Sequence, residues 1–448
     1  MSIFKAYDIR GVVPGELNEA VAEKVGRSVV KLLNARTVVV GRDMRASADV
    51  LFDALTKGIT SMGAEVIDIG LCSTPMSYFA DARYKADGSV MITASHNPSQ
   101  YNGFKICRED AIPLSYETGI GEIERLCEGA PLSGAGAAGR VSRRDAMAEY
   151  LEHVLRFAGE VRPMTVAVDA GNAIAGYVIP KLLAALPQVK VVPLYFELDG
   201  SFPNHEPNPL KEENMRDLQK KVKETGADFG VAFDGDADRA AFVDDRGELI
   251  AADLLTALLA PVFLKREKGG TVIYDVRSSR VVREEVERAG GRAIMSRVGH
   301  SYMKTLLRRE KGVFGGELAG HFYFRDNAYA DSGDITLMLV MKALSESGKP
   351  LSSLIAPLRR FHASGEINFH VEDKDGKIEE LARLYADGEI NRIDGIRVDF
   401  PDWWFNVRKS NTEPLLRLVL EADSREKMER MRDKLAKEIG GRPEERGH

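Results

Sequence analysis

Cysteine is scarce in this chain of 448 residues, which contains three, at positions 72, 107 and 127. Their number is odd and none stands in a CxxC pair or at Cys/His metal spacing, which argues against a disulfide framework or a zinc site. The longest apolar run, Leu254 to Leu264, contains Thr256 and Pro261 and is shorter than the roughly 20 residues that span a bilayer. The N-terminal residues show no apolar signal region. These absences favour a reduced, cytoplasmic protein without a membrane partner.

An excess of positive charge is also lacking. Lys and Arg number 62 against 68 Asp and Glu, which gives a net charge of -6. Such a chain has no general attraction for nucleic acid, so we expect no nucleic-acid partner and only local anion sites. With 44% hydrophobic and 29% charged residues, the composition is typical of a globular protein. At roughly 100–200 residues per domain, the length predicts about three or four domains.

Three segments share a short β-branched run that ends in a polar turn. They are Thr37–Val40 before Gly41-Arg42-Asp43, Thr165–Val168 before Asp169-Ala170-Gly171-Asn172, and Thr271–Tyr274 before Asp275-Val276-Arg277. Helix-like stretches follow, for example Ala48 to Met62 and Gly176 to Leu186. Apolar strands flanked by helices are buried on both faces, which predicts parallel or mixed α/β sheets. We interpret the segments as three related α/β units, with chance similarity of short strands as the alternative.

The last part of the chain has a different pattern. Strands are predicted at 367–371, 395–400, 404–407 and 416–421, and helices at 378–385 and 423–439. Asp423, three residues before Glu426, is the expected N-cap of the final helix. This alternation predicts a small α+β domain.

The strongest chemical pattern is Asp234-Gly235-Asp236-Ala237-Asp238-Arg239, flanked by apolar runs at 229–233 and 240–243. Three carboxylates at alternating positions of a tight loop repel one another unless a cation neutralises them. Hard oxygen ligands of this kind suit Mg²⁺. An EF-hand would need Gly where Arg239 stands, Glu where Asp245 stands, and helices on both sides. A solvated acidic turn is the remaining alternative.

A serine lies on another loop at the end of a strand. Thr93-Ala94-Ser95-His96-Asn97-Pro98 follows the strand-like 89–92 and precedes a second short strand at 103–106. Enzymes often place reactive groups on such loops, but a serine hydroxyl needs a nearby base or metal to become nucleophilic. His96 and Lys105 are basic neighbours in the sequence. Taken alone, the loop reads more simply as a turn, because Ser, Asn and Pro favour turns for local reasons.

Two later loops carry polar side chains suited to a sugar phosphate. Glu317 and His321, in Gly315–His321, offer a carboxylate and an imidazole to sugar hydroxyls, although a plain surface loop is the simpler reading. Arg408-Lys409-Ser410-Asn411-Thr412-Glu413-Pro414 combines cations, hydroxyls and an amide in one turn, as a phosphate cradle does. Arg417 on the next strand could add to it, and a polar hairpin loop is the alternative.

In this order, the four loops resemble those of the α-D-phosphohexomutase family, and the resemblance covers nearly the whole chain from Tyr7-Asp8-Ile9-Arg10-Gly11 onward. They are similar to its phosphoserine, magnesium, sugar and phosphate loops. Ser-Asn-Thr-Glu-Pro at 410–414 resembles the phosphomannomutase/phosphoglucomutase branch, whereas phosphoglucosamine mutases usually read Ser-Gly-Thr-Glu-Pro. The resemblance implies four domains around a central cleft: three related α/β domains with mixed sheets, then a smaller α+β domain. We predict their bounds as 1–147, 148–250, 251–362 and 363–448.

The resemblance also implies a reaction. A phosphohexose mutase would interconvert hexose 1-phosphate and hexose 6-phosphate, of mannose, glucose or both, through phosphorylated Ser95 and a hexose 1,6-bisphosphate that also acts as activator. Mg²⁺ would be held by Ser95, Asp234, Asp236 and Asp238. The expected catalytic residues are Ser95, Arg10, His96, Lys105, Arg239 and His300, with the base left open among Lys105, His300 and Arg10. The expected substrate contacts are Tyr7, Arg277, Glu317, Ala319, His321, Arg408, Ser410, Asn411, Thr412 and Arg417. Hexose phosphates are the expected partners, and a monomer or weak homodimer is the expected state.

Two positions depart from the family pattern. Ala319 stands where the sugar loop usually has serine, which removes one hydroxyl contact, and Arg277 stands where relatives often have lysine. Two alternatives therefore stay open: a phosphoglucosamine mutase, or a sugar-phosphate-binding protein without catalysis. The presence of Ser95, the three aspartates and Lys105 argues against the second.

Overall fold

The computed structural model describes residues 2–130, 132–134, 136–410, 415–440 and 442–443. The chain forms two compact units, the first made of Met1–Ala251 with Ala319–Ser352 and the second of Ala252–Leu318 with Ser353–His448. Within the described stretches, no helix has the length and apolar character needed to cross a lipid bilayer.

The first sheet lies in the first unit and has seven strands in the order β1-β5-β4-β2-β3-β7, with β6 on β5. Strand β2 pairs in parallel with β3 and β4, whereas β5 is antiparallel to β4 and β1, so the sheet is mixed. Val38 and Val40 share one face of β2 and pack with apolar residues of α1 and α2, while Val39 is buried on the opposite face. The elements of this region are β1 (Ile9–Val12), α1 (Glu19–Leu33), β2 (Thr37–Arg42), α2 (Ala48–Ser61), β3 (Glu65–Leu71), α3 (Thr74–Tyr84), β4 (Gly88–Ile92), β5 (Tyr101–Arg108), β6 (Ile112–Pro113), α4 (Gly121–Glu128) and β7 (Val141–Arg143).

The second sheet, also in the first unit, has the order β12-β11-β10-β8-β9. Strand β8 pairs in parallel with β9 and β10, and β10 turns back antiparallel into β11. The elements are α5 (Met147–Leu155), β8 (Met164–Asp169), α6 (Ala175–Ala184), β9 (Val189–Leu194), α7 (Glu212–Thr225), β10 (Phe229–Phe233), β11 (Ala240–Val243) and β12 (Leu249–Ile250).

A third sheet is built around β13 in the second unit, where β13 pairs in parallel with β14 on one side and β15 on the other. The elements of the second unit here are α8 (Ala252–Leu264), β13 (Thr271–Asp275), α9 (Arg280–Arg288), β14 (Arg292–Ser296), α10 (His300–Arg309) and β15 (Phe314–Gly316). The chain then contributes β16 (Phe322–Phe324) and α11 (Gly333–Ser347) to the first unit, and α12 (Leu351–Ile355) follows.

The last sheet belongs to the second unit and its pairings are antiparallel, in the order β19-β20-β21-β22-β18-β23 with β17 on β22. Phe405, Val407 and Leu418 of its central strands pack against Leu381 of α13 and Leu435 of α14. The elements are β17 (His362–Ala363), β18 (Ile367–His370), α13 (Lys374–Leu384), β19 (Glu389–Asn391), β20 (Ile396–Asp399), β21 (Trp403–Lys409), β22 (Leu416–Ala422), α14 (Arg425–Ile439) and β23 (Arg442–Pro443). The predicted α+β fold of this part is confirmed.

One local order of strands occurs three times. In each of the first three sheets, the first strand lies between the second and the third, as β4-β2-β3, β10-β8-β9 and β15-β13-β14. In each case both pairings are parallel. The three central strands are the three similar segments of the sequence, so the interpretation as related α/β units is confirmed.

Two details of the predicted helices were wrong. The N-cap of α14 is Ser424, whose side chain accepts a hydrogen bond from the backbone N–H of Lys427, and not Asp423. Both residue types cap helices well, and the extended backbone of Ser424 decides between them. Helix α13 begins at Lys374 instead of 378, because Asp373 caps a polar first turn that has no apolar periodicity.

Candidate active site

Three of the four predicted loops follow the third strand of the three related α/β units. Ser95 lies after β4, Asp234 directly after β10, and Glu317 directly after β15. In parallel sheets, ligands bind beyond the carboxyl ends of the strands where the strand order reverses, and that point lies between the first and third strands here. The repeated fold therefore delivers three polar loops to three equivalent positions.

In each of the three related α/β units, an aspartate stands at the end of the first strand or directly after it. The three aspartates form the same kind of turn. In each, Oδ1 accepts a hydrogen bond from the backbone N–H two residues later, at 3.0 Å for Asp43, 2.9 Å for Asp169 and 2.7 Å for Asp275. Asx turns of this kind fix the direction in which the chain leaves a strand. The polar turns noted in the sequence are thus one structural device used three times.

Ser95 is held in a fixed conformation beside the carboxylate loop. Its side chain is 3% exposed, and its backbone has a φ of 51°, in the left-handed region that non-glycine residues adopt only when their surroundings impose it. Its backbone N–H donates to Oγ1 of Thr93 (2.9 Å), and its Oγ donates to Oδ2 of Asp234 (2.8 Å). The loop is therefore buried and held in one conformation by hydrogen bonds, and it is not a solvent-exposed turn.

Arg45 holds the backbone of the serine loop through hydrogen bonds to main-chain carbonyl groups. Its guanidinium donates to the main-chain carbonyls of Ser95 (2.8 Å), Asn97 (2.6 Å), Pro98 (2.8 Å) and Tyr101 (2.9 Å). One buried side chain thus satisfies the carbonyl groups of three loop residues and of the first residue of β5. The sequence analysis missed this residue.

The three aspartates of the carboxylate loop are buried and adjacent. Asp234, Asp236 and Asp238 are at most 1% exposed, and each offers a carboxylate oxygen within 4.8 Å of the others. Oδ1 of Asp236 and Oδ1 of Asp238 are buried without a hydrogen-bond donor among the described residues. Strands, not helices, flank the loop, so neither an EF-hand nor a solvated acidic turn describes it.

Gly235 allows the two loops to approach. A Cβ atom at this position would lie 2.1 Å from the carbonyl oxygen of Ser95, far inside van der Waals contact. Only glycine permits this packing, which brings the Ser95 hydroxyl to Asp234.

The carboxylates differ in their electrostatics. Burial, together with the charges of Asp238 and Asp236, raises the pKa of Asp234 to about 7 despite the adjacent Arg239. At Asp238, burial is outweighed by Lys105 and by His321, which lower the pKa to about 2. Burial at Asp236 is likewise outweighed, chiefly by Lys105, and its pKa is lowered. The cluster keeps a concentration of negative charge that protein cations only partly neutralise.

These residues fit a divalent metal ion. Clustered carboxylate oxygens without hydrogen-bond donors, in a buried site beside a serine hydroxyl, form a hard donor set of the kind that Mg²⁺ prefers. Asp238 also forms a second candidate group with His321 and Asp331. The acidic loop is therefore able to hold a metal ion.

The basic residues predicted around Ser95 have distinct surroundings. Nζ of Lys105 lies 2.5 Å from Oδ2 of Asp236 and also contacts Asp238. These carboxylates outweigh the effect of burial and raise the pKa of Lys105, so it remains a cation. Arg239 donates from Nε to Oδ2 of Asp234 (2.9 Å) and from Nη2 to His96 Nδ1, with the Ser95 Oγ at 3.5 Å.

His96 and Arg10 complete this group. Burial, with the charges of Arg239 and Arg10, lowers the pKa of His96 well below its usual value, so the ring is neutral. Its Nδ1 lies 3.1 Å from the Ser95 Oγ. Arg10 donates to Oδ1 of Asn97 on the same loop (2.6 Å) and pairs with Asp8.

His321 lies with the acidic cluster of the first unit. Its Nδ1 is 2.7 Å from Oδ2 of Asp331 and 3.6 Å from Oδ1 of Asp238. Asp331 immediately precedes Ser332, the N-cap of α11, and was missed in the sequence because no pattern links it to the sugar loop.

The second unit gathers three arginines on one carboxylate. Glu366 accepts from Nη2 of Arg408 (3.0 Å) and pairs with Nη1 of Arg417 (3.0 Å) and Nη1 of Arg277 (3.5 Å). The arginines outweigh burial and lower the pKa of Glu366. Glu317 pairs with the same Arg277 at 3.5 Å. Convergent guanidinium groups are the side chains that bind phosphate best. Glu366 carried no recognisable sequence pattern.

The other predicted site residues are placed less closely. Tyr7 is half-buried before β1, His300 is half-buried at the start of α10, and Ala319 is half-buried on the sugar loop. The backbone N–H of Ser410 donates to the carbonyl of Leu415 (2.9 Å). Asn411 and Thr412 lie outside the described residues.

His205 braces the second sheet and the metal loop, and the sequence analysis did not identify it. Its Nε2 is 3.1 Å from Oδ2 of Asp169 and its Nδ1 is 2.8 Å from the main-chain oxygen of Glu206, so both ring nitrogens face acceptors. Only the imidazolium donates from both nitrogens. Although burial opposes protonation, the hydrogen bond and charge of Asp169 raise the pKa of His205. The nearby Pro207 packs on Gly235.

The stabilisation by His205 is expected to depend on pH. Because its pKa is raised in the fold, this stabilisation is complete below the unfolded value of about 6.5 and is lost as pH rises through the folded value. We expect His205→Gln to lower the Tm most on the acid side, with a gap to wild type that narrows as the pH rises above the unfolded pKa of about 6.5. Thermal unfolding at a series of pH values measures this, with the exposed His370→Gln as control. A gap that is constant with pH would refute the charged state.

Comparisons with known proteins match four parts of the chain to one family. Four family models described as phosphoglucomutase/phosphomannomutase match in order: domain I at residues 1–131, domain II at 148–247, domain III at 251–361 and the C-terminal domain at 366–438. These matches give the residues that each family model covers. The domain bounds proposed from the sequence stay a prediction.

Individual relatives span nearly the full chain. A protein of Xanthomonas campestris pv. campestris (strain B100) named "Phosphohexose mutases" is 44% identical over 93% of this chain and 94% of its own. A phosphomannomutase of Salmonella montevideo is 39% identical over 94% of this chain and 95% of its own. The crystal structure of a phosphoglucomutase/phosphomannomutase family protein from Burkholderia thailandensis has a TM-score of 0.91 at 33% identity and covers 98% of both chains.

The fold and the relatives thus define a mutase enzyme, with a buried acidic loop able to hold a metal ion and a cluster of three arginines around Glu366. The chain belongs to the phosphoglucomutase/phosphomannomutase family of phosphohexose mutases, as its sequence motifs predicted.

Proposed function

We propose that the enzyme interconverts hexose 1-phosphate and hexose 6-phosphate, of mannose, glucose or both, through phosphorylated Ser95. The observation that carries the proposal is the 2.8 Å hydrogen bond from the Ser95 Oγ to Asp234, within a buried cluster of three carboxylates. A serine so placed could exchange phosphoryl groups when a divalent cation held by these carboxylates offsets the negative charge of the transferring group.

Mg²⁺ is the proposed metal, with Asp234, Asp236, Asp238 and the oxygen on Ser95 as ligands. When bound, it would offset the negative charge of the transferring phosphoryl group and polarise its bond to Ser95. Lys105 and Arg239 contribute fixed positive charge to the same cluster. Both cations are buried, so their charge is less screened than in water.

In the proposed reaction, the substrate's own phosphate is bound by Arg277, Arg408 and Arg417. The oxygen of its free hydroxyl attacks the phosphorus on Ser95 and gives its proton to a base. The bond between phosphorus and Oγ breaks, and Oγ takes up a proton from an acid. This yields a hexose 1,6-bisphosphate. After the intermediate reorients, the reverse transfer of its other phosphate to Ser95 releases the product and restores the phosphoserine.

The charge and the contacts of the candidate residues reduce the choice of the base that accepts the hydroxyl proton. Lys105 stays protonated between its carboxylates and is better suited to donate a proton or to stabilise charge. Arg10 is engaged by Asp8 and Asn97. His300 remains a candidate, and His321 is another, because a carboxylate oxygen of Asp331 lies 2.7 Å from its Nδ1.

A substrate panel tests the proposal. Purified enzyme with Mg²⁺ and a trace of glucose 1,6-bisphosphate is expected to convert mannose 1-phosphate, glucose 1-phosphate or both to the 6-phosphates. Turnover of glucosamine 1-phosphate alone would assign the enzyme to phosphoglucosamine instead. Binding of hexose phosphates without any turnover would support a binding protein that has lost catalysis.

A further inference from the structure

The loop that carries Arg277 is held by residues outside its own sheet. Arg277 lies in the turn after β13, where Asp275 accepts from its backbone N–H (2.7 Å) and from its guanidinium Nη2 (3.0 Å). These contacts orient the side chain with respect to Asp275, but they do not fix the turn with respect to Arg408 and Arg417, which lie on the last sheet.

Arg397 of β20 makes that connection. Its Nη1 donates to the main-chain carbonyls of Val276 (2.8 Å) and Ser278 (3.2 Å), the two residues that flank Arg277. The residue is 3% exposed. One guanidinium nitrogen therefore grips the backbone on both sides of Arg277 from the sheet that carries Arg408.

The grip is rigid because the rest of the Arg397 guanidinium is also held. Nε and Nη2 donate to the two carboxylate oxygens of Asp399, at 2.9 Å and 3.0 Å. The guanidinium carbon lies 3.7 Å from the ring centroid of Trp404, whose Nε1 donates to Glu421 (2.7 Å). A planar cation held by a bidentate carboxylate and an aromatic face has little freedom to shift.

Arg280, at the start of α9, provides a matching contact in the opposite direction. Its side chain donates to the carbonyls of Phe400 (3.1 Å) and Pro401 (3.0 Å), and its backbone N–H donates to Glu421 (3.2 Å). The chain on both sides of Arg277 is thereby tied to the sheet formed by β20, β21 and β22.

We infer that Arg397 is a positioning residue for substrate phosphate, which acts by fixing Arg277 relative to Arg408 and Arg417. This rests on the proposed role of those three arginines in binding the phosphate. Four of the five N–H donors of Arg397 are used by Val276, Ser278 and Asp399, so its proposed part is to hold Arg277 and not to bind the ligand directly. A misplaced guanidinium loses its fork geometry toward phosphate even though its charge is kept.

A double-mutant cycle distinguishes positioning from general stabilisation. Arg397→Met keeps the side-chain stem over Trp404 but removes every donor, and is expected to raise the KM for hexose 1-phosphate about tenfold or more, with kcat within about threefold of wild type. Arg277→Met should raise KM at least as much, and adding Arg397→Met to it should change KM no further, because the two act through one contact. Independent, multiplying effects, or an unchanged KM in Arg397→Met, would overturn the inference.

Two further variants keep the test interpretable. Arg392→Met removes an exposed arginine that pairs with Glu379 in the same sheet region and should leave KM unchanged. If Arg397→Met does not fold, Arg397→Lys retains the charge but cannot bridge both carbonyls while holding Asp399, so a raised KM is still expected and an unchanged one refutes the role. Calorimetric titration with inorganic phosphate makes the comparison independent of turnover. An inactive wild type would therefore contradict the proposed function, whereas equal phosphate affinities of wild type and variant would contradict the role of Arg397.

Discussion

Replacing Ser95 by alanine is expected to lower mutase turnover by at least about a thousandfold, because it removes the hydroxyl that is proposed to carry the phosphoryl group. The Ser95 Oγ is the hydroxyl that donates to Asp234, and Gly235 provides the close approach that this contact needs. The measurement is kcat/KM for hexose 1-phosphate with Mg²⁺ and a trace of glucose 1,6-bisphosphate. Intact-mass analysis of the same samples should detect phosphate on the wild type and none on the variant.

The loss should be chemical and not structural. Alanine keeps the Cβ atom, the backbone bonds to Thr93 and Arg45 involve no side-chain atom of Ser95, and the fold should survive. Ser99→Ala, at an exposed serine of the same loop, is the matched control and should retain wild-type turnover. Substantial turnover by a phosphate-free Ser95→Ala would rule out the phosphoserine route while leaving the family assignment intact.

Asp236→Asn is expected to weaken Mg²⁺ binding and turnover by about a hundredfold or more, because a metal site loses a charged hard ligand. Oδ1 of Asp236 has no donor among the described residues, whereas Oδ2 accepts from Thr74 (2.5 Å) and pairs with Lys105. The variant keeps the shape of the side chain and removes its charge. Calorimetric titration with Mg²⁺, together with turnover at increasing Mg²⁺, measures both effects.

The controls separate metal binding from general acidity. Asp217→Asn changes an exposed aspartate of the same sheet region and should bind Mg²⁺ and turn over as wild type does. Chelation by EDTA should abolish wild-type turnover, and added Mg²⁺ should restore it. Activity that persists after exhaustive chelation would show that the three carboxylates serve another purpose.

The regular parts of the fold were predictable because their physical causes are local. The β-branched composition of runs such as Thr37–Arg42 predicts buried strands, and the polar turns that follow predict where these strands end. The carboxylate loop was equally predictable, because three aspartates so close together repel one another unless a cation is bound. Helix ends were less so: Asp423 and Ser424 both suit an N-cap, and the choice depends on a backbone angle that neither residue determines alone.

The supporting residues of the site were not predictable from local sequence. Arg45, Asp331 and Glu366 act on partners about 50, 10 and 40 or more positions away, and nothing near them in the chain indicates those partners. An isolated arginine or glutamate is usually a solvated surface residue. Its role emerges only when the fold has brought the loop carbonyls or the guanidinium groups within reach.

The threefold strand order has a consequence for how this protein can change. Since β4, β10 and β15 occupy the same place in three copies of one scaffold, the loops that carry Ser95, Asp234 and Glu317 occupy equivalent positions and can diverge in sequence while the sheets are kept. The strands supply the pairing that holds each sheet together, whereas the packing of Gly235 on Ser95 couples two of the loops, so these two can change only together. A substitution at Ala319, which lies outside those two loops, is therefore the simplest way to vary the proposed sugar contact while the proposed phosphoryl chemistry is kept.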